Sequence, residues 1–148
     1  MSVTTIVSFR DLEAWQAAMD LAVTAHGLAA ALPPVHRFEL GSQMRRAANS
    51  VPSNIAEGHG NTSTRVYLHH VRIAIGSLAE LDTLVELMLR LALTSESQIE
   101  PIRSQFARTR QLLRGLQRAL RRRVAGATVS VLSIVIIAAT GAWAIGVL

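Results

Sequence analysis

The chain has 148 residues, a formal net charge of +5, half of its residues hydrophobic and only 4% aromatic. That length sets one core and leaves no room for a second globular domain, and the absence of cysteine excludes disulfide frameworks, thiolate metal sites and cysteine nucleophiles. Residues 1–100 carry seven Arg against ten acids, a net of −3, whereas residues 101–148 carry eight Arg and no acid, a net of +8, so a basic partner surface is expected only toward the end of the chain.

After an extension over residues 1–8, Ser8 and Asp11 have the spacing of a capping box. They predict a first helix that ends at Leu32, before Pro33-Pro34, with Leu12, Trp15, Met19 and Ala22 turned inward. A second helix is expected from Arg37 to Glu57. Gly58 would stop it by supplying a left-handed residue. Met44, Ala47, Ala48, Val51 and Ile55 line one face of this helix, while Ser50, Ser53, Asn54 and Glu57 share another. Pro52 sits inside it, where a proline removes one backbone hydrogen bond and costs about 3 kcal/mol or more, so compensating contacts are expected. Helix three spans Thr64 to Leu93, with a seam of Tyr67, Val71, Ala74, Leu78, Leu81, Val85, Met88 and Ala92 in alternating steps of four and three. Ser95 and Gln98 form a second capping box. Helix four then carries the seam Ile99, Ile102, Phe106, Thr109, Leu113, Leu116 and Leu120. Four such stripes joined by short turns predict an all-α, antiparallel up-down four-helix bundle over residues 9–123.

Arg103, Arg110, Arg114, Arg118 and Arg121 fall within an arc of about 80° beside the seam of helix four. Two readings fit this stripe. The arginines pair with acids on a neighbouring helix, Glu80, Asp82 and Glu86 being the candidates, or they track phosphates, since guanidinium groups bind phosphate bidentately. Arg122 and Arg123 extend the basic run. Arg45 and Arg46 point about 100° apart and cannot form one flat patch; one of them is expected to brace Glu57 or an acid across the bundle, with nucleic-acid contact as the other use. Asn54 and Glu57 lack the second acid, base or nucleophile that catalysis would need. His59, His69 and His70 have no ligand spacing and no Glu-x-x-His motif, so surface and loop positions are expected for them. No cofactor loop or metal motif is present in the sequence, and neither an enzyme activity nor a cofactor is expected.

Val124 to Leu148 contains no charge. As a helix it would reach about 37 Å, more than the roughly 30 Å hydrocarbon core of a bilayer. Arg121-Arg122-Arg123 abuts one end and Trp143 lies near the other, which predicts a membrane helix and, by the positive-inside rule, a cytoplasmic bundle anchored to the inner membrane. Burial against protein is the competing expectation. Ala138, Ala142 and Gly146 stand four apart, a small-residue ridge on which such helices associate.

Three segments carry a resemblance. The run Arg45-Arg46-Ala47-Ala48 followed by Ser50-Val51-Pro52-Ser53-Asn54-Ile55-Ala56-Glu57-Gly58, the opening Phe9-Arg10-Asp11-Leu12-Glu13-Ala14-Trp15-Gln16-Ala17-Ala18, and Ile73-Ala74-Ile75-Gly76-Ser77-Leu78-Ala79-Glu80-Leu81 together resemble the four-helix-bundle proteins encoded in 23S rRNA intervening sequences, over roughly Phe9 to Leu120. The resemblance implies an antiparallel bundle that assembles as a pentamer, with the motif Ser50, Pro52, Ser53, Asn54, Glu57 and Gly58 mainly structural. A relative, the accessory protein of diversity-generating retroelements, binds nucleic acid and a reverse transcriptase. The apolar tail, the acidic balance of the first 100 residues and Asn61 depart from that pattern. The expected function is a non-enzymatic, homo-oligomeric binding or scaffold module that contacts RNA or DNA through helix four. The alternative is a membrane-tethered protein-interaction module whose arginines meet anionic headgroups, its protein partner unknown.

Overall fold

The computed structural model describes the backbone of residues 6–143 and the side chains of residues 6–127. Among these residues there is no strand. A 3-10 turn at Phe9–Asp11 precedes α1 (Glu13–Ala31), α2 (Pro34–Arg37), α3 (Leu40–Gly60), α4 (Thr64–Arg90) and α5 (Glu96–Trp143). Helix α3 packs on α1 and α4, and α5 packs on the same two, so the four long helices form a ring of neighbours. Contacts between α3 and α4 run from Ser50–Ser77 to Asn54–His70, and those between α4 and α5 include Asp82–Arg110 and Glu86–Arg103. Partner numbers fall as residue numbers rise. Adjacent helices are therefore antiparallel, as the short turns demand.

The core is a continuous apolar cluster. Leu21, Met44, Ile55, Leu78, Leu81, Met88, Ile99, Ile102 and Leu113 are its largest fully buried members besides Leu32, Val51 and Val71, and each such side chain contributes roughly 1.5–3 kcal/mol on burial. The seams expected on α4 and α5 are present almost residue for residue, with Tyr67 and Leu116 only partly buried at the margin. Thr109, the one hydroxyl in the α5 seam, donates to the Ala17 carbonyl at 3.3 Å and so ties α5 to α1.

Several expectations need correction. The Ser8–Asp11 capping box forms, but it caps the 3-10 turn; Leu12 is extended at ψ 119° and α1 starts only at Glu13. Of the residues expected inward, Leu12 and Ala22 are buried, but Trp15 is only partly so and Met19 is 38% exposed; the rest of the buried face of α1 is Ala14, Ala17, Ala18, Leu21, Ala25 and Ala29. Small residues face the core because α1 lies close to its neighbours, and the larger Trp15 and Met19 sit beside the stripe. The second helix is divided. Pro34 opens the single turn α2, and α3 begins three residues after it, at Leu40.

Gly58 does not end α3. The helix continues to Gly60, and no glycine among the described residues has a positive φ. Its real constraint is proximity: a Cβ there would collide with the Tyr67 ring and stand 3.0 Å from the Cβ of His70. Glycine at this position lets α3 and α4 approach. Helix α4 stops at Arg90 rather than Leu93. Leu93 N–H donates to Met88 and Ala92 N–H to Leu89, the paired bonds of a Schellman close, and Ala92 takes the left-handed position at φ 54°. That removes Ala92 from the seam.

Helix α5 is one uninterrupted element of 48 residues, about 72 Å long, instead of a bundle helix followed by a separate tail. Nothing between Leu120 and Ala125 breaks a helix. Leu120 is buried, Val124 packs partly on the core, and Ala125, Gly126 and Ala127 are exposed, so α5 leaves the bundle just after Val124. Among the described residues no helix is long and apolar enough to cross a membrane. The uncharged segment Val124 to Leu148 lies, from residue 128 onward, outside the described side chains.

Candidate functional site

The proline-containing motif of α3 builds a polar seam against α4. Asn54 donates from Nδ2 to the Ser50 carbonyl at 2.9 Å and to Ser50 Oγ at 3.1 Å. Its Oδ1 is thereby turned to His70 Nδ1, 3.0 Å away, so His70 is the donor in that bond. Ser50 Oγ meets Ser77 Oγ at 2.8 Å, and Glu57 lies 3.6 Å from the same His70 nitrogen. Ser50, Asn54 and His70 are half-buried, Ser77 is buried, and Glu57 is exposed. Every one of these groups bridges two helices. His70, expected at the surface, is thus a structural partner of Asn54, and the i, i+4 spacing of Ser50 and Asn54 was the signal for a bracing face.

Tyr67 closes this seam beside Gly58. Its hydroxyl is buried with no hydrogen-bond partner among the described residues, and burial pushes the phenol up to about 12, against a smaller opposing effect of Arg123. Pro52 is buried on the other side of α3. There Ser53, His26 and Asn49 line an open groove of about 610 Å³ between α1 and α3, with Met19 and Val23 on its α1 wall. His26 Nε2 and Asn49 Oδ1 are 2.8 Å apart. Neither residue was singled out from the sequence, because a His and an Asn far apart in the chain carry no spacing signal.

The arginines of α5 divide into two sets. Arg110 bonds Asp82 at 2.6 Å, and Arg103 reaches Glu96 at 3.1 Å and Glu86 at 4.0 Å. Two of the three acids proposed from the sequence are therefore partners, and Glu80 is not. Arg114 reaches only Gln117, at 3.4 Å. Arg118, Arg121, Arg122 and Arg123 are exposed and, among the described residues, form no ion pair. Arg45 braces the Arg37 carbonyl at 3.3 Å, linking α2 to α3, rather than an acid across the bundle; Arg46 is exposed. Among the described residues no cluster of His, Asp and Glu is arranged to hold a metal ion.

The sequence profile of the 23S rRNA-intervening sequence protein family matches residues 10–115. The chain belongs to that family. A search of curated proteins gives no match. Among solved structures, the chain is similar to a protein of unknown function of the S23 ribosomal protein family from Bacteroides thetaiotaomicron, with 22% identity, a TM-score of 0.66, and coverage of 70% of this chain and 97% of that one. At that identity the likeness supports the fold. The family match holds the whole polar seam, Ser50 to Ser77, and the two acid-paired arginines of α5, Arg103 and Arg110. It ends at Gly115, so Arg118, Arg121, Arg122 and Arg123 lie beyond the 23S rRNA-intervening sequence region.

Proposed function

We propose that this chain is a non-enzymatic helical-bundle scaffold tethered to a membrane by the continuation of α5, with its working surface at the arginines where that helix leaves the bundle. One observation carries the reading: four exposed arginines that form no ion pair among the described residues, Arg118, Arg121, Arg122 and Arg123, crowd six positions of α5, and the sequence that follows is uncharged through Leu148. Twenty apolar residues suffice to span a bilayer, and a basic flank sets the bundle on the cytoplasmic side. The polar groups of the motif are taken up in bridging α3 and α4, which supports a scaffold role for it. Carbonate extraction of cells expressing the full chain tests the tether. The chain is expected to stay with the membrane pellet; release into the supernatant would refute the anchor.

A second reading is favoured by Arg108, Arg114 and Arg118, which are exposed on the flank of the bundle itself. These arginines suit the phosphates of RNA or DNA, and binding would then weaken steeply with salt. A salt-sensitive complex of the full chain with RNA, unaffected by lipid, would establish this reading in place of the first. Homo-oligomeric assembly, a pentamer by family resemblance, belongs to either reading and is tested by the mass of the detergent-solubilised chain.

A further inference from the structure

One end of the bundle collects the start of α1, the end of α3, the start of α4 and the exit of α5. Its members interact in sequence: His59 acts electrostatically on Asp11, the His59 and Tyr67 rings lie 6.1 Å apart, and Arg123 acts on Tyr67. Arg10, Arg65, Arg121 and Arg122 are all exposed at this end. So are two apolar side chains, Ile6 at 53% and Val7 at 82%. Val7 is held in place, because Val7 and Ser8 both donate backbone N–H groups to Asp11, at 2.9 and 2.8 Å, and Ile6 directly precedes it. The same bonds hold the Asp11 carboxyl below the usual carboxylate range. Its negative charge is thus taken up locally. Of the other acids here, Glu57 stands beside His70 and Glu13 begins α1.

We infer that this end is a bilayer-docking face: with α5 as the axis, Arg10, Arg65, Arg121 and Arg122 rest on anionic lipid headgroups, Ile6 and Val7 enter the interface, and the α2 turn points away. The inference rests on the tether proposed above and adds an orientation to it. Arginines at the level where an uncharged helix emerges meet headgroups without any bending of the chain. Exposed Ile and Val beside arginines suit the boundary between headgroups and acyl chains; Val35 and Phe38 are exposed beside Arg37 at the opposite end too, and it is the exit of α5 that selects this end.

The absence of native cysteine allows single-site probes in the full chain. An environment-sensitive fluorophore is placed at Thr62→Cys, in the α3–α4 turn at this end, or at Thr94→Cys, in the α4–α5 turn at the other. Each labelled chain is reconstituted into vesicles of anionic and of neutral phospholipid. Docking predicts a blue-shifted, brighter Thr62 probe on anionic vesicles and an unchanged Thr94 probe. Arg65→Gln combined with Arg121→Gln should weaken the docked state about 25-fold, roughly fivefold for each arginine near the surface. A carbonate-resistant chain whose two probes report equal exposure to water would overturn the orientation and leave the tether intact. Carbonate release would overturn both. A Thr62 probe that responds to RNA and not to vesicles would overturn the lipid assignment in favour of nucleic acid.

Discussion

The α3–α4 seam and the exit of α5 treat polar residues in opposite ways. In the seam Ser50, Asn54, Ser77 and His70 are each bonded to the facing helix or to one another, and Gly58 is there to let the backbones close. At the exit, four arginines stand exposed and form no ion pair among the described residues. Polar groups that face a neighbouring helix become architecture because a buried donor or acceptor left unpaired costs about 1–3 kcal/mol. Charges left in water carry no such penalty and stay available to a partner. Arg103 and Arg110 lie on the same helix as the free set yet belong with the architecture, since α4 offers acids opposite them.

Substitutions can break this contrast, the largest effect being expected in the seam. Gly58→Ala forces the Tyr67 ring and α4 outward and should cost about 2 kcal/mol in urea unfolding, despite alanine's better helix propensity. Asn54→Ala removes the bond to His70 and leaves that half-buried ring only the exposed Glu57 as a neighbour, for a loss of about 1.5 kcal/mol. Tyr67→Phe should do the reverse, adding about 1 kcal/mol, because it deletes a buried hydroxyl that has no hydrogen-bond partner among the described residues. The same residue gives a pH signature. Tyr67 is the only tyrosine, and the chain has neither lysine nor cysteine. Burial favours the neutral phenol, so this contribution to stability is complete below the unfolded value near 10 and is lost as pH rises through about 12. Absorbance titration of the phenolate should show a single late transition coincident with alkaline loss of stability, and Tyr67→Phe should abolish that loss. Arg110→Gln breaks a half-exposed pair and should cost only about 0.2–1 kcal/mol. Arg122→Gln should leave the unfolding midpoint unchanged within about 0.5 kcal/mol.

Much of the bundle was legible because periodicity is a direct record of burial. Val71 to Met88 and Ile99 to Leu120 repeat at steps of four and three, and those positions form the α4 and α5 seams. In α1 the same reasoning slipped, since Trp15 and Met19 outweigh alanines in apolarity while the close approach of helices selects the alanines. Gly58 illustrates a second limit. Glycine after Glu57 fits a helix stop as well as it fits a close contact, and only the position of Tyr67 and His70 distinguishes them. Arginine spacing located the stripe on α5. It could not tell which arginines face acids, because that depends on the register between α4 and α5.

The contrast between paired and free arginines is tested most directly by vesicle flotation of three full-length chains: the native sequence, one with Arg103 and Arg110 changed to Gln, and one with Arg118, Arg121, Arg122 and Arg123 changed to Gln. Each is compared on anionic and neutral phospholipid. The native chain and the variant of the paired arginines should keep the same preference for anionic vesicles, while the variant of the free arginines should lose it, by about fivefold for each charge that reaches the surface. Equal loss in both variants, or loss in neither, would contradict the account.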